Sequence, residues 1–297
     1  MAKFIWVQDL DFIIEGGGAQ NTDRAHFTEG IRRGHNESIV TPQGNIDSLL
    51  ADNSPVIISN MMAGFSLQVF QQLVERNRPC IWFFHDYQPL CKYRLFYPML
   101  RKCKTCYRKN SWLPILLRAK LLIWLSSLHR ESWLWSCPEL EDVPYAVIPS
   151  PVDPNQFYDL NLPRDGVVSV SSLFPFKGRE NILRWATEHP EVNITFISGN
   201  PLPNEPLPPN CQDIGPQPFS LLNEIYNRHK TFLHLPGTPQ PFERSLTEAY
   251  LAGCDIIGNK LIGALSYDWF KSREEVVEHC SNSSKLFWGK IEEVLST

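Results

Sequence analysis

Short runs of apolar, β-rich residues recur along this chain, each followed by a polar turn and then by a stretch with helical periodicity. "KFIWVQ", "ESIVTP", "PVIISN" and "CIWFFHD" open the pattern. They are bounded by turn residues and carry no apolar/polar alternation, as strands of a parallel sheet covered on both faces do. Helical patterns at 23–33 and 64–76 lie between them. Alternation of this kind predicts a doubly wound α/β sheet. Near Gly166 the pattern restarts: "VVSVSSL", "NITFIS", "TFLHLP" and "CDIIGN" are strands, with "RENILRWATEH", "FSLLNEIYNRH" and "RSLTEAYLAG" the helices between them. The stretch "VIPSPVDPNQFYDLNLPRDG", rich in proline and Asp/Asn, separates the series and reads as a linker. The prediction is two Rossmann-like α/β domains, 1–150 and 151–297, facing a central cleft. Ligands of such sheets bind beyond the carboxyl ends of the strands, so candidate chemistry is sought there.

The net charge of -4 gives no reason to expect nucleic acid as a partner. Acids at Asp9, Asp11 and Glu15 interrupt what would be the apolar core of a signal peptide. Arg118 and Lys120 break the longest apolar stretch, which is too interrupted to span a bilayer. Its segment 113–128 reads as amphipathic: either core, or a peripheral membrane contact with Arg118 and Lys120 at the headgroups. The eight cysteines are scattered rather than arranged as a small disulfide framework, which points to a cytoplasmic protein.

Several groups follow strands. Gly16, Gly17 and Gly18 come after the first; they form either a flexible turn or a loop that lets backbone approach a substrate. The spacing is not that of a dinucleotide fingerprint. His85, beside Asp86, ends "WFFHD"; it is either structural or a donor to a sugar or phosphate oxygen. Cys91, Cys103 and Cys106 stand as C-x11-C-x2-C, a weak structural-metal candidate with His85, Cys80 or Cys137 as a fourth ligand, or else simple thiols. Lys177 and Gly178 open a helix, where a lysine beside free amides suits a phosphate. In "PQPFERSLTEAYLAG", Glu243 and Arg244 stand at a helix start, and Glu248 lies one turn on from Arg244. Arg244 opposes the helix dipole there unless an anion offsets it. Glu248 is placed to accept the vicinal hydroxyls of a ribose. The plain alternative is an exposed Arg–Glu pair of little energetic weight.

In this order these segments resemble the retaining family-4 glycosyltransferases of GT-B architecture, in a compact version. The resemblance covers most of the chain and is strongest at 145–259. "VIPSPVDPNQFY" resembles the family's hinge, "VSVSSLFPFKG" its lysine–glycine segment, "ITFISGNP" the strand ending in glycine near the donor, and "QPFERSLTEAYLAGCDIIGN" its Glu-x7-Glu signature. "HDYQPLC" resembles a first-domain segment of a subgroup. The resemblance implies that Lys177 holds the donor diphosphate, with the backbone of Arg244, Ser245 and Leu246 at the phosphates. It assigns Glu248 to the ribose, Gly199 to the donor side, Gly16–Gly18 to the cleft wall and His85 to the transferred sugar. Two positions depart: Ser172 stands where the family has an arginine, and Gln240 where it has the first glutamate. Arg244 is then expected to replace the missing cation, with Glu243 orienting it.

The implied function is a glycosyltransferase in glycan biosynthesis, moving a sugar with retention from a nucleotide-sugar co-substrate to a glycan, lipid-linked or protein hydroxyl. No further cofactor or metal is required for transfer. The alternatives are an inactive nucleotide-sugar-binding relative acting as partner or regulator, and a sugar-nucleotide epimerase or hydrolase.

Overall fold

The computed structural model describes residues 2–14, 16–59, 61, 64–91, 107–170, 177–198 and 206–297, with backbone alone for 107–109. The chain divides into two compact units: Met1–Pro151 with Asn282–Thr297, and Val152–Ser281. Both are built on a parallel sheet, so the mixed α/β class with two Rossmann-like domains holds.

The first sheet has six strands: β1 (Lys3–Val7), β2 (Asn36–Val40), β3 (Val56–Ser59), β4 (Cys80–Phe83), β5 (Leu121–Trp124) and β6 (Tyr145–Val147). Their spatial order is β2-β1-β3-β4-β5-β6, and every pairing is parallel. Helices α1 (Gly18–Arg32), α2 (Ile46–Ala51), α3 (Leu67–Glu75), α4 (Tyr107–Leu116) and α5 (Ser127–Ser136) occupy the connections. Every residue of β3, β4 and β5 is buried, which accounts for their sequences being apolar but for Ser59 at the end of β3. On α3, Phe70, Leu73 and Val74 form the buried stripe expected of a helix laid on a sheet. Asn45 caps α2 and Ser126 caps α5, each accepting from the backbone amide three residues on.

The second sheet contains β7 (Val167–Val170), β8 (Ile194–Ile197), β9 (Cys211–Asp213), β10 (Thr231–His234) and β11 (Asp255–Gly258), in the order β11-β10-β7-β8-β9. Its pairings are parallel as well. Helices α6 (Arg179–Glu188), α7 (Leu222–Arg228) and α8 (Arg244–Leu251) follow β7, β9 and β10. Ile182 and Ala186 of α6 pack with Val167, Ile194, Phe196 and Leu233 in this unit's core.

Residues 113–128 form two elements: α4 ends at Leu116, and "LLIW" is β5, a strand with all four residues buried. The apolar side chains from Leu121 to Leu125 are buried in this unit, as the core alternative for the segment expects. Among the described residues, no helix is long and apolar enough to cross a membrane. The proline-rich stretch between the two series is packed, with Ile148, Ser150, Val152 and Phe157 buried. Finally, residues 151–297 do not form one body. The last helix, α9 (Arg273–Ser296), enters the first unit at Asn282. There Phe287 stacks on Trp6 and His26, and the Trp288 indole donates to the His26 carbonyl at 2.7 Å.

Glu37 of β2 is an unusual guest in this packing. The Trp6 indole donates to its Oε2 at 2.6 Å, while its Oε1 is buried with no partner among the described residues. Gly30 makes the room, since a Cβ there would meet Glu37 Oε1 at 1.7 Å. Burial, only partly opposed by the Trp6 hydrogen bond, pushes the Glu37 carboxyl up to about 8 from an ordinary 4.5. The folded state therefore keeps a proton that the unfolded state releases. Glu37 thus contributes stability that is fully present below about 4.5 and is lost as pH rises through about 8. Glu37→Gln keeps the shape without the titration. Its denaturation midpoint relative to the parent is expected to improve steadily between pH 5 and pH 9; a pH-independent difference contradicts the assignment.

Candidate functional site

In the second sheet the chain runs outward from β7 through β8 to β9, then returns to the other side of β7 as β10. The reversal lies between β7 and β10, where an α/β sheet opens a crevice at its carboxyl edge. Lys177 and Gly178 follow β7 in the chain. His234 ends β10, and Glu243 to Glu248 follow it. Two separately predicted segments are thereby brought together.

Glu243 is the centre of the cluster. Its Oε2 lies 3.0 Å from Lys177 Nζ and 3.2 Å from His234 Nε2, and its Oε1 accepts from the Ser245 hydroxyl at 2.6 Å. The His234 contact falls outside hydrogen-bond geometry, and neither ring nitrogen has a hydrogen-bond partner among the described residues. Burial alone would raise the Glu243 carboxyl; Lys177, His234 and Ser245 outweigh it and hold the carboxyl well below its usual range. Glu243 stands at the N-cap of α8 with a left-handed φ of 78°, yet its side chain makes no capping hydrogen bond. The amides of the first turn of α8 are therefore left without a side-chain cap.

Arg244 pairs with Glu248. Its Nε donates to Glu248 Oε1 at 2.6 Å, and both side chains are largely buried. The expectation that Glu243 orients Arg244 is thus corrected: Glu243 holds Lys177, and Glu248 holds Arg244. Burial pushes the Glu248 carboxyl up to about 7, against the pull of Arg244. Gln240 is buried and turned into its own loop, its amide donating to the Thr238 carbonyl at 3.0 Å. Its backbone is tied to Leu261 and Gly263. Leu246 is a core residue. Ser172 and Gly199 lie outside the described residues.

Gly178 fixes the approach of Lys177. It takes φ +89° at the start of α6, and a Cβ there would fall 1.9 Å from the Leu235 carbonyl oxygen. The same carbonyl accepts from the Asn181 amide at 3.0 Å. The entrance to α6 is therefore pressed against the loop after β10.

The first sheet reverses between β1 and β3. A second polar cluster sits at that edge. His85, two residues past β4, brings Nε2 to 2.7 Å from Asp23 Oδ1. Ser59, the last residue of β3, donates to Asp23 Oδ2 at 2.9 Å, and Gln8 follows β1 beside it. All are buried, with Asp23 fully so. An ionised Asp23 can only accept, so Nε2 of His85 donates to it. Gly16 to Gly18 lead into α1, the helix that carries Asp23. Gly17 has a φ of +153°, rarely adopted by L residues.

Asp23, Ser59, Gln8 and His234 were not singled out from sequence. His234 carried the same signal as His85, a histidine at a strand end. Asp23 carried none, lying mid-helix and far from His85 in the chain. Of the metal candidate, Cys103 and Cys106 lie outside the described residues; Cys91 is buried. Among the described residues no His, Cys, Asp and Glu group is disposed to hold a metal.

No protein-family model and no curated protein sequence matches the chain. Solved structures do match it in fold. HepE of Anabaena in complex with UDP and glucose aligns over the whole of both chains with a TM-score of 0.65 and 16% identity. An α-glucosyltransferase (AGT) in complex with UDP aligns over 99% of this chain and 100% of its own, with a TM-score of 0.63 and 12% identity. The pneumococcal O-GlcNAc transferase GtfA in complex with UDP and GlcNAc has a TM-score of 0.52 at 13% identity, covering 82% of this chain and 52% of its own. The shared feature is the GT-B fold.

Proposed function

We propose that this protein is a glycosyltransferase that takes its sugar from a nucleoside-diphosphate sugar, UDP-glucose first among the donors to test. The observation that carries the reading is the convergence of Lys177, Ser245, the uncapped start of α8 and the Arg244–Glu248 pair at the reversal between β7 and β10. A cation beside a helix N-terminus suits a diphosphate, and an acid one turn inside suits a ribose. The fold neighbours support the choice of donor, since they were solved with UDP, and one of them with glucose as well.

In this reading the second unit binds the donor and the first presents the acceptor. The bond between the sugar and the diphosphate breaks while Lys177, Arg244 and the α8 amides stabilise the charge that develops on the leaving group. The acceptor hydroxyl attacks the same face of the sugar, with retention of configuration. His85, held by Asp23, meets the transferred sugar or the incoming hydroxyl. Transfer requires no metal, because positive groups of the chain supply the stabilisation. The acceptor is a hydroxyl of a glycan, a lipid-linked sugar or a protein, and the setting is the cytoplasm.

A second reading, a nucleotide-sugar-binding relative without turnover, is favoured by one observation: Lys177 is already neutralised by Glu243. Mass spectrometry of the protein with a panel of nucleotide-sugars and acceptors separates the cases. Donor consumption with a glycosylated product supports transfer. Binding without consumption supports the second reading, and consumption without transfer indicates a hydrolase or epimerase.

A further inference from the structure

The pocket around Glu243 has the composition of an anion site. An ammonium, a hydroxyl and an imidazole converge on one carboxylate at the start of a helix. Three further facts set this carboxylate apart from an ordinary buried ion pair. Glu243 adopts its left-handed φ of 78° although it is not glycine, a conformation that L residues take at a cost. The cost is not offset by capping, because the side chain makes no cap hydrogen bond to α8. And solvent reaches the cluster at its cation, with the Lys177 side chain 28% exposed against 8% for Glu243 and 0% for His234.

We propose that the Glu243 carboxylate is an internal stand-in for a phosphate, filling the anion pocket that a donor's diphosphate enters, and that the ligand binds by taking Lys177 and Ser245 from it. The naming of the ligand rests on the function proposed above; the anion pocket itself does not. Without Glu243, the half-buried Lys177 ammonium would lose the counter-charge it has here, which is costly. Glu243 supplies that counter-charge from within the chain and holds Lys177 in place. An incoming diphosphate brings at least two negative charges and more acceptor oxygens than a carboxylate, so it is the stronger partner for the same donors. The exchange sets the affinity: part of the attraction between Lys177 and the donor is spent on displacing Glu243. The site thereby discriminates against singly charged anions, which gain nothing over the carboxylate already there.

The test uses inorganic pyrophosphate and UDP, each titrated calorimetrically into the parent, Glu243→Gln and Glu243→Gly. Glycine suits the φ of this residue, so Glu243→Gly guards against failure of the glutamine variant to fold. Pyrophosphate is expected to bind both variants at least about tenfold more tightly than the parent, an equilibrium change equivalent to about 1.4 kcal/mol. UDP affinity is expected to rise in the same direction. If pyrophosphate binds the variants no more tightly than the parent, the stand-in is overturned. Should UDP bind and turn over normally in that case, the proposed function stands and only this inference fails. Should pyrophosphate bind the variants while UDP binds none of the proteins, the anion pocket stands and the choice of nucleotide fails. A structure of the parent with UDP gives an independent answer that needs no variant. Lys177 Nζ is expected on a phosphate oxygen and away from Glu243; a diphosphate bound elsewhere with Lys177 still on Glu243 overturns the proposal.

Discussion

Gly178→Ala is expected to destabilise the protein by about 3 kcal/mol or more and to abolish nucleotide binding with it. Two costs add. The left-handed backbone at +89° penalises any L side chain by roughly 1–2 kcal/mol. The new Cβ would also fall 1.9 Å from the Leu235 oxygen and 2.4 Å from its carbonyl carbon. Both are backbone atoms in the loop after β10, so no side-chain rotation relieves the overlap. Either α6 lifts away from that loop or the loop moves, and both separate Lys177 from Glu243. Gly18→Ala is the control. Nothing lies within 4 Å of a Cβ at Gly18, in the first turn of α1, and its substitution is expected to leave the unfolding midpoint within about 0.5 kcal/mol of the parent. Urea denaturation of the two variants decides the point. Equal midpoints would mean that the approach of α6 to the β10 loop is not tight.

Asp23→Asn is expected to lower turnover by about a hundredfold, the scale of one misplaced acid–base group, with little change in donor affinity. An asparagine keeps the volume but removes the charge that fixes Nε2 of His85 as donor. It also confronts the Ser59 hydroxyl and the His85 ring with an amide that both donates and accepts. The groups assigned to the donor, Lys177, Ser245 and the start of α8, are untouched. The effect should therefore appear in kcat rather than in KM for the nucleotide-sugar. A purely structural Asp23 would instead lower stability and leave the turnover of the folded fraction unchanged. Steady-state kinetics, referred to the folded fraction by circular dichroism, separates the two.

The parallel strands were legible because burial on both faces leaves an unambiguous trace. "VIIS", "CIWF" and "ITFI" are buried at every position, and their sequences are apolar but for Ser59 and Thr195. β5 was hidden by the same property. "LLIW" follows a leucine-rich helix after a short turn, and without a glycine or proline between them the run reads as one continuous amphipathic stretch. The final helix was missed because its polar residues surround the apolar ones: Val276, Cys280, Phe287, Trp288 and Ile291 are buried, but two compact units share them. The site followed a similar rule. Arg244 and Glu248 pair as an i, i+4 reading requires. The partners of Glu243 escaped that reading, since Lys177 precedes it by 66 residues and reaches it only through the β7–β10 reversal. The Asp23–His85 contact spans 62 residues in the same way. Strand ends announced where chemistry gathers; which side chains meet there was decided by sheet order.

The central claim is that the second unit binds the diphosphate of a nucleotide through Lys177. Calorimetric titration of UDP into the parent and into Lys177→Ala tests it most directly. The account predicts one UDP per chain for the parent. Loss of a charge-assisted hydrogen bond worth about 1.5–3 kcal/mol should weaken binding about ten- to hundredfold in Lys177→Ala. A parent that binds no UDP, or a folded Lys177→Ala protein that binds it as tightly as the parent, would contradict the account.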